Sequence, residues 1–235
     1  MKVLLAFVVV VFSEALLLNP PHQRVIAGRR RCTASSEAPP PRSFFKWYDA
    51  QLQRAPLRTK MASSGLVSII GDCAAQLLTT QAYSVRRGIT WALVGCLYFA
   101  PFLHFYYGKL ASFEAKALAR GVSKRTAVIF ELLLNQTFGA MTVNALFFFV
   151  FAFVSACVAL VVDATPLAPV ALVHTAAATL REKFAFIMFA NWAIWPLPSL
   201  VNLVFVPLQY RVLFTNTVAL LWKCVLSILT NTPAR

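Results

Sequence analysis

The feature that most constrains this chain is a series of four to five long apolar stretches that carry few charges. They run from about Met61 to Leu78, Ile89 to Leu110, Ala127 to Val162, Phe184 to Pro207 and Val212 to Leu229. Each is near the roughly 20 residues that an α-helix needs to cross the hydrocarbon of a bilayer. Helices are required because an open strand would leave backbone groups unpaired in lipid, and the alternation of a membrane barrel is absent. The sequence therefore predicts an all-α, multi-pass transmembrane helix bundle of about four spans.

The composition favours a membrane protein over a soluble one. Hydrophobic residues make up 59% of the chain and charged residues only 13%, whereas a soluble domain carries about 25% charged residues. The formal net charge is +14, but the basic residues lie between the apolar stretches and near the N-terminus. This distribution follows the positive-inside rule and suits anionic headgroups. We therefore expect the lipid bilayer as a partner and no nucleic acid.

The basic residues also predict the orientation of the spans. Arg54, Arg58 and Lys60 precede the first stretch, and the segment from Lys109 to Arg125 is strongly basic. These two regions should share the positive side of the membrane. Within the second, the segment from Phe113 to Lys124 is expected to be helical and to lie outside the hydrocarbon.

The first 42 residues have the composition of a targeting leader. Met1 to Leu18 has the charged start and apolar core of a secretory signal, and Asn19 to Arg42 is basic, hydroxylated and acid-poor, as transit peptides are. Three interpretations are open: a two-part leader into a complex plastid, a single mitochondrial presequence, or a retained first span. We expect a removed leader over 1–42, a single membrane domain over 43–231 and a short tail over 232–235.

Prolines interrupt the fourth stretch at Pro196, Pro198 and Pro207. An interior proline removes a backbone hydrogen bond and kinks a helix. Membrane helices tolerate such kinks where neighbouring groups satisfy the freed carbonyl. The pattern predicts a broken span here, or a span with a re-entrant end.

Polar side chains inside the apolar stretches are candidate functional residues, because charges and amides are costly at membrane depth. Asp72 and Gln76 are four residues apart and share one helix face. Two interpretations are open for them: hydrogen bonding between helices, or the polar lining of a solute path. Arg211 stands at the break before the last stretch, and charge balance predicts an ion pair with Asp72 or Glu131.

The chain lacks the patterns of a catalytic or metal site. Its cysteines are scattered singly, without a CxxC pair or a Cys/His cluster, so neither a disulfide framework nor a zinc site is predicted. Nucleophile elbows, phosphate loops and paired catalytic carboxylates are also missing. We expect no cofactor, no metal and no enzymatic activity.

The glycine, proline, aromatic and polar residues follow one recognisable order. The positions are Pro56, Gly65, Gly71, Asp72, Gln76, Gly95, Pro101, His104, Tyr107, Asn135, Gln136, Trp192, Trp195, Pro196, Asn202, Pro207, Arg211 and Trp222. In this order and spacing they resemble the signature of the Mpv17 / PMP22 family of small organellar membrane proteins. The resemblance extends from Phe44 to about Asn231, and these positions become candidate pore or packing residues.

The chain departs from the family pattern at a few positions, and the resemblance implies a fold, a location and a function. Asn135 stands where the family has Asp, which removes a buried charge; other departures are Ala100, Tyr106, Met141 and Leu203. The family implies about four membrane passes, residence in a mitochondrial, peroxisomal or plastid membrane, and for some members a channel or pore. The mitochondrial inner membrane and the plastid are the favoured locations, and the peroxisome is the other.

Two functions follow from the sequence as competing hypotheses. The first is a channel or solute-permeability protein, in which Asp72, Gln76, Asn135, Gln136, Asn202 and Arg211 line or gate the path of an undefined small solute. A single bundle of this size has little room for a pore, which favours a homo-oligomer. The alternative is a structural or scaffold membrane protein without transport.

Overall fold

The computed structural model describes residues 44–78 and 83–231, and these residues are helical apart from short connections. The helices are α1 (Phe44–Arg54), α2 (Pro56–Leu78), α3 (Val85–Ala119), α4 (Lys124–Asp163), α5 (Pro169–Ile194), α6 (Pro196–Phe205) and α7 (Arg211–Asn231). The all-α prediction is confirmed for this part of the chain. The leader over 1–42 and the tail over 232–235 lie outside the described residues.

The chain divides into two compact units, residues 1–56 and residues 57–235. The first unit contributes α1, in which Gln53 Nε2 donates a hydrogen bond to Asp49 Oδ2 at 3.3 Å. The second unit contains the predicted spans, and the sites below lie within it.

Two helices of the described residues are long and apolar enough to cross a membrane, and a bent pair makes a third if it counts as one span. The two helices are α3 and α4, and the pair is α5 with α6, bent by 52°. The first and fifth apolar stretches form α2 and α7, so the prediction of about four passes depends on those two helices. Large apolar side chains such as Phe153 and Phe189 are exposed on the outer surface, as lipid contact requires.

Both long helices contain one π-helical turn. In α3 the turn covers Gly95–Phe99 and ends before Pro101, and the N–H of Ala100 donates to the carbonyl of Gly95. Proline cannot donate to the helix and its ring crowds the carbonyl four residues earlier, so the widened turn accommodates it. In α4 the turn covers Asn135–Gly139 and closes between Ala140 N–H and Asn135 O. Such single π-turns occur often at functional sites.

The segment predicted as a helix over 113–124 is helical as far as Ala119, and residues 120–123 then form a tight turn between α3 and α4. Helix α3 ends at Ala119, and Gly121 has a φ of +83°, which suits a residue without a Cβ. Ser123 then caps α4, since its Oγ accepts from Thr126 N–H at 3.2 Å. The prediction was wrong over 120–123 because the glycine ends the first helix and the serine starts the next.

The proline-rich stretch forms two helices bent by 52°, which agrees with either a broken span or a span with a re-entrant end. Helix α5 ends at Ile194, Trp195 stands at the bend, and Pro196 occupies the first position of α6. Proline is favoured there, because the first N–H of a helix has no partner within it. Pro207 follows the end of α6 and precedes the turn into α7.

Helices α2 and α3 approach each other closely where small residues meet. A Cβ built on Gly95 would lie 2.6 Å from the carbonyl oxygen of Ser64, and one on Gly65 would lie 3.2 Å from that of Ala92. Glycine is therefore required at Gly95 by the backbone of the opposite helix. Gly71 is buried on the same helix as Gly65.

Candidate functional site

A cavity of about 170 Å³ lies in the bundle, between the two π-turns and the bend of α5 and α6. Amide groups and aromatic rings dominate its lining, and none of the lining residues in the described part carries a formal charge. The amides are Asn135, Gln136, Asn144, Asn191 and Asn216, and the aromatic residues are Trp91, Phe99, Phe102, Tyr106, Tyr107, Phe147, Phe148, Trp195 and Trp222. We refer to this space as the central cavity.

The π-turn of α4 places two amides at the central cavity. The side chain of Gln136 donates a hydrogen bond from Nε2 to Ser199 Oγ on α6 at 3.0 Å. Its backbone carbonyl accepts from the indole Nε1 of Trp192 on α5 at 2.8 Å. The signature residues Gln136 and Trp192 thus join α4 to both arms of the bent pair. The side-chain oxygen of Gln136 is buried and has no hydrogen-bond partner among the described residues.

A second set of signature residues forms a clasp that joins α3, α6 and α7. Asn202 Nδ2 donates to the hydroxyl of Tyr107 at 3.1 Å and to that of Thr215 at 3.0 Å. The hydroxyls of Tyr107 and Thr215 are 3.0 Å apart. Thr215 itself donates to the carbonyl of Arg211 at 2.8 Å, so Tyr107 is the donor to Thr215.

Arg211 caps the last turn of α6. Its Nε donates to the carbonyl of Val206 at 3.2 Å, and Nη2 donates to that of Leu203 at 3.0 Å. Carbonyls at a helix end lack partners within the helix, and Pro207 prevents the chain from continuing the helix. Arg211 therefore closes the broken span by hydrogen bonds to its backbone.

Asp72 and Gln76 anchor the connection between α2 and α3. Asp72 has a side chain that is 1% exposed and pairs with Arg87 Nε at 2.8 Å. Gln76 donates to Asp72 Oδ2 at 2.7 Å and accepts from Ser84 N–H at 2.6 Å. The predicted ion pair between Asp72 and Arg211 was wrong, because Arg87 lies nearer to the carboxylate and Arg211 is engaged at the end of α6.

A second cavity, of about 220 Å³, lies beside the clasp. Its lining consists of Lys60, His104, Tyr107, Gly108, Leu208 and Gln209. Lys60 Nζ and His104 Nδ1 are 3.1 Å apart. Tyr107 lines this outer cavity and the central cavity, so its side chain is a wall that the two spaces share.

Several polar atoms are buried without a hydrogen-bond partner among the described residues. Both carboxyl oxygens of Glu131, the hydroxyl of Tyr106, Nη1 of Arg211 and Nδ2 of Asn216 are in this group. Glu131 is fully buried. Buried polar groups in folded proteins are normally hydrogen-bonded, so these atoms are the places where a bound water or solute would be stabilised.

The structure separates the residues predicted to line a path into two groups. Asn135 and Gln136 line the central cavity, together with Tyr107, Trp195 and Trp222. Asp72, Gln76, Asn202 and Arg211 are not among its lining residues, and they hold helices and connections instead. Pro56 begins α2 and takes part in neither cavity.

Sequence reasoning did not identify Lys60, Ser199 or Thr215 as members of these sites. The sequence pattern marks Lys60 only as one of several basic residues before a span. Ser199 and Thr215 are ordinary residues in apolar helices, and only their partners mark them. For Lys60 a signal is available, because it directly precedes the first apolar stretch and its partner His104 is a polar residue within the second.

Comparison with known proteins identifies proteins similar to this chain. The profile of the Mpv17 / PMP22 family matches residues 172–227, which cover most of α5, all of α6 and most of α7. Peroxisomal membrane protein 2 of Bos taurus is 28% identical over 197 residues, covering 80% of this chain and 89% of the bovine one. No solved structure matches the chain.

Two further relatives cover a similar share of the chain. Mitochondrial inner membrane protein Mpv17 of Caenorhabditis elegans is 28% identical over 188 residues, covering 78% of this chain and 91% of the nematode one. Protein sym-1 of Neurospora crassa is 26% identical over 185 residues, covering 77% of this chain and 95% of the fungal one. The family profile over residues 172–227 and the extent of these alignments show that the chain is similar to organellar membrane proteins of the Mpv17 / PMP22 family.

Proposed function

We propose that this protein is a channel for small polar solutes in an organellar membrane, and that the central cavity is part of the path. The observation that supports the proposal most directly is the set of five amide side chains around a largely apolar and aromatic space within the helix bundle. Amides within a bundle are costly unless they bond to the protein, to water or to a solute. Gln136 and Asn216 each have a buried polar atom without a partner among the described residues.

The volume of the central cavity limits what it can hold. It measures about 170 Å³, while one water occupies about 30 Å³ in the liquid and a cavity of about 150 Å³ can hold benzene. The space therefore suits a solute of about six heavy atoms, or a short file of water. Because its lining is amide and aromatic, it favours an uncharged polar solute over an ion.

The mechanism that we propose is passage without catalysis. Amide N–H groups and carbonyls replace the water shell of the solute, and the aromatic rings exclude bulk water. The outer cavity and the central cavity share Tyr107, so a solute entering from the outer cavity would pass this side chain. A homo-oligomer would supply several such paths.

The names of the relatives support an organellar location for the chain. They include a peroxisomal membrane protein and a mitochondrial inner membrane protein, and we propose that this chain resides in one of these two membranes. None of these relatives' names indicates a plastid.

The test is solute flux in liposomes that contain the purified chain. We expect liposomes with the protein to swell faster in glycerol than protein-free liposomes, and to swell less in sucrose than in glycerol. Gln136→Leu and Asn216→Leu remove the unpartnered polar groups and should lower the glycerol rate about tenfold, as loss of about 1.4 kcal/mol in barrier stabilisation implies.

Thr137→Val is the matched control, because Thr137 lies on the same π-turn as Gln136 but is exposed and bonds only to its own helix. Its flux should equal that of the unmodified protein. Equal flux in Gln136→Leu, Asn216→Leu and the control, with normal folding in each, would remove the central cavity from the path.

A structural role is the second candidate, and one observation favours it. Asp72, Gln76, Asn202 and Arg211 bond to other helices or to connections, and none of them lines the central cavity. A protein whose signature residues serve packing alone would show no flux for any solute in these liposomes. In that case its role would lie in organising the membrane.

A further inference from the structure

The outer cavity contains a buried basic side chain, Lys60. Lys60 is 5% exposed, although lysine is almost never fully buried without a partner of opposite charge. Its ammonium group lies 3.1 Å from His104 Nδ1. None of the three ion pairs recorded among the described residues includes Lys60: Asp72 pairs with Arg87, Glu114 with Lys124 and Asp163 with Arg86.

The geometry at Lys60 defines which groups face a ligand. When Lys60 is protonated, its ammonium group can only donate hydrogen bonds, so Nδ1 of His104 accepts and the ring proton resides on Nε2. The pair therefore offers ammonium N–H donors and an imidazole N–H donor, with one positive charge and no negative one. Burying a charge is costly unless it is paired, and nothing among the lining residues supplies the opposite charge.

We infer that the outer cavity is a binding site for a small anion, either a carboxylate or a phosphate, held by Lys60 and His104. The cavity measures about 220 Å³, equivalent to about seven waters at about 30 Å³ each. That space accepts acetate or inorganic phosphate with some of its water. The excess of basic residues in the chain would further attract an anion to this site.

The remaining lining residues fit this ligand. Gln209 adds an amide from the turn between α6 and α7, and Gly108 leaves room on α3 because a Cβ there would meet nothing within 4 Å. The hydroxyl of Tyr107 is already used by Asn202 and Thr215, so the ring closes the site on the side of the central cavity. The anion would thus be held at Tyr107 and would not pass it in this conformation.

This inference does not depend on the proposed channel, because binding can be measured without flux. The phosphate group could belong to a free anion or to the headgroup of an anionic lipid. The experiment uses the full chain in a maltoside detergent that contains no phosphate, with ¹⁵N-labelled histidine. Signals are assigned to His104 with His104→Gln, and sodium phosphate, sodium acetate or phosphatidylglycerol is added at constant pH and ionic strength.

We expect the His104 signal to shift and saturate with at least one of these anions. Saturation by phosphate or acetate identifies a free anion, and saturation by phosphatidylglycerol alone identifies the headgroup; either result supports an anion site. Lys60→Met should raise the dissociation constant at least tenfold. Lys109→Met removes the same charge from an exposed position on the helix that carries His104, and should change it less than twofold.

The inference is overturned if none of the three probes saturates the His104 signal. It is equally overturned if Lys60→Met and Lys109→Met bind alike. If Lys60→Met aggregates, Lys60→Gln replaces it and is judged by the same tenfold criterion. A flux failure in the liposome test would leave this result unchanged, so the two proposals can fail separately.

Discussion

Asn202 and Tyr107 lie 95 positions apart in the sequence, and the amide of Asn202 donates a hydrogen bond to the hydroxyl of Tyr107 at 3.1 Å. Asn202 stands on α6, the short arm of the broken span, and Tyr107 on α3. Thr215 of α7 completes the clasp. Because the amide of Asn202 joins α6 to α3 and α7, the clasp fixes the bent pair against the rest of the bundle.

Replacing Asn202 should therefore destabilise the protein more than replacing a cavity amide. Asn202→Leu removes a hydrogen-bond donor from the buried hydroxyl of Tyr107, the half-buried hydroxyl of Thr215 and the carbonyl of Arg211, and each such hydrogen bond contributes about 0.5–1.5 kcal/mol. We expect a loss of about 2–3 kcal/mol in the free energy of unfolding, measured by denaturation in mixed micelles. Asn144→Leu is the control, since Asn144 Nδ2 donates only to Ala140 O of its own helix; it should cost less than about 1 kcal/mol. Equal losses would contradict a special role for the clasp.

Two adjacent arginines allow a direct comparison of a half-buried and a surface ion pair. Arg87→Leu leaves the Asp72 carboxylate, 1% exposed, without a partner that is itself 43% exposed, so the loss should fall below the about 3–5 kcal/mol of a fully buried pair. Arg86→Leu breaks a pair with Asp163 whose side chains are 52% and 41% exposed, and such pairs contribute about 0–1 kcal/mol. Thermal unfolding followed by circular dichroism should show the larger loss for Arg87→Leu. If Arg86→Leu loses as much, the burial of Asp72 does not govern its energetics.

The sequence predicts the helices of this protein well and its pairings poorly. Apolar length and proline positions locate α3, α4 and the bend at Trp195, since these features depend on local chemistry. The partners of Asp72 and Arg211 were not predictable, because charge balance does not say which helices are neighbours. The π-turns also escape prediction, although Pro101 gives a reason for one of them. The burial of Lys60 against His104 depends on the packing of α2 on α3, which no local pattern encodes.

The close approach of α2 and α3 gives a prediction at two glycines of one helix. Gly95→Ala would place its Cβ 2.6 Å from the carbonyl of Ser64, which forces the helices apart; overpacking of this kind costs about 1–3 kcal/mol. Gly108→Ala meets nothing within 4 Å and gains helix propensity worth up to about 1 kcal/mol. Unfolding temperatures in detergent should therefore move in opposite directions. A stabilised Gly95→Ala would show that the two helices do not touch at Ser64.

The hydroxyl of Tyr107 forms hydrogen bonds within the clasp, and its side chain also lines both cavities. Two substitutions separate these roles. Tyr107→Phe removes the hydroxyl that bonds Asn202 and Thr215 but keeps the ring between the cavities. It should lower the free energy of unfolding by about 1–2 kcal/mol and leave solute flux in liposomes unchanged. Tyr107→Leu also shortens the side chain, so it should open the wall and raise the flux of glycerol at equal protein content.

The glycerol flux of the two variants distinguishes the roles, because both lose the same hydrogen bonds and only Tyr107→Leu also loses the ring. If flux rises equally in Tyr107→Phe and Tyr107→Leu, loosening of the clasp rather than the missing ring opens the path. If flux stays at the level of the unmodified protein in Tyr107→Leu while the variant remains folded, the wall does not limit passage. Only a rise confined to Tyr107→Leu agrees with a ring that separates the outer cavity from the central cavity, since both cavities are lined by that ring.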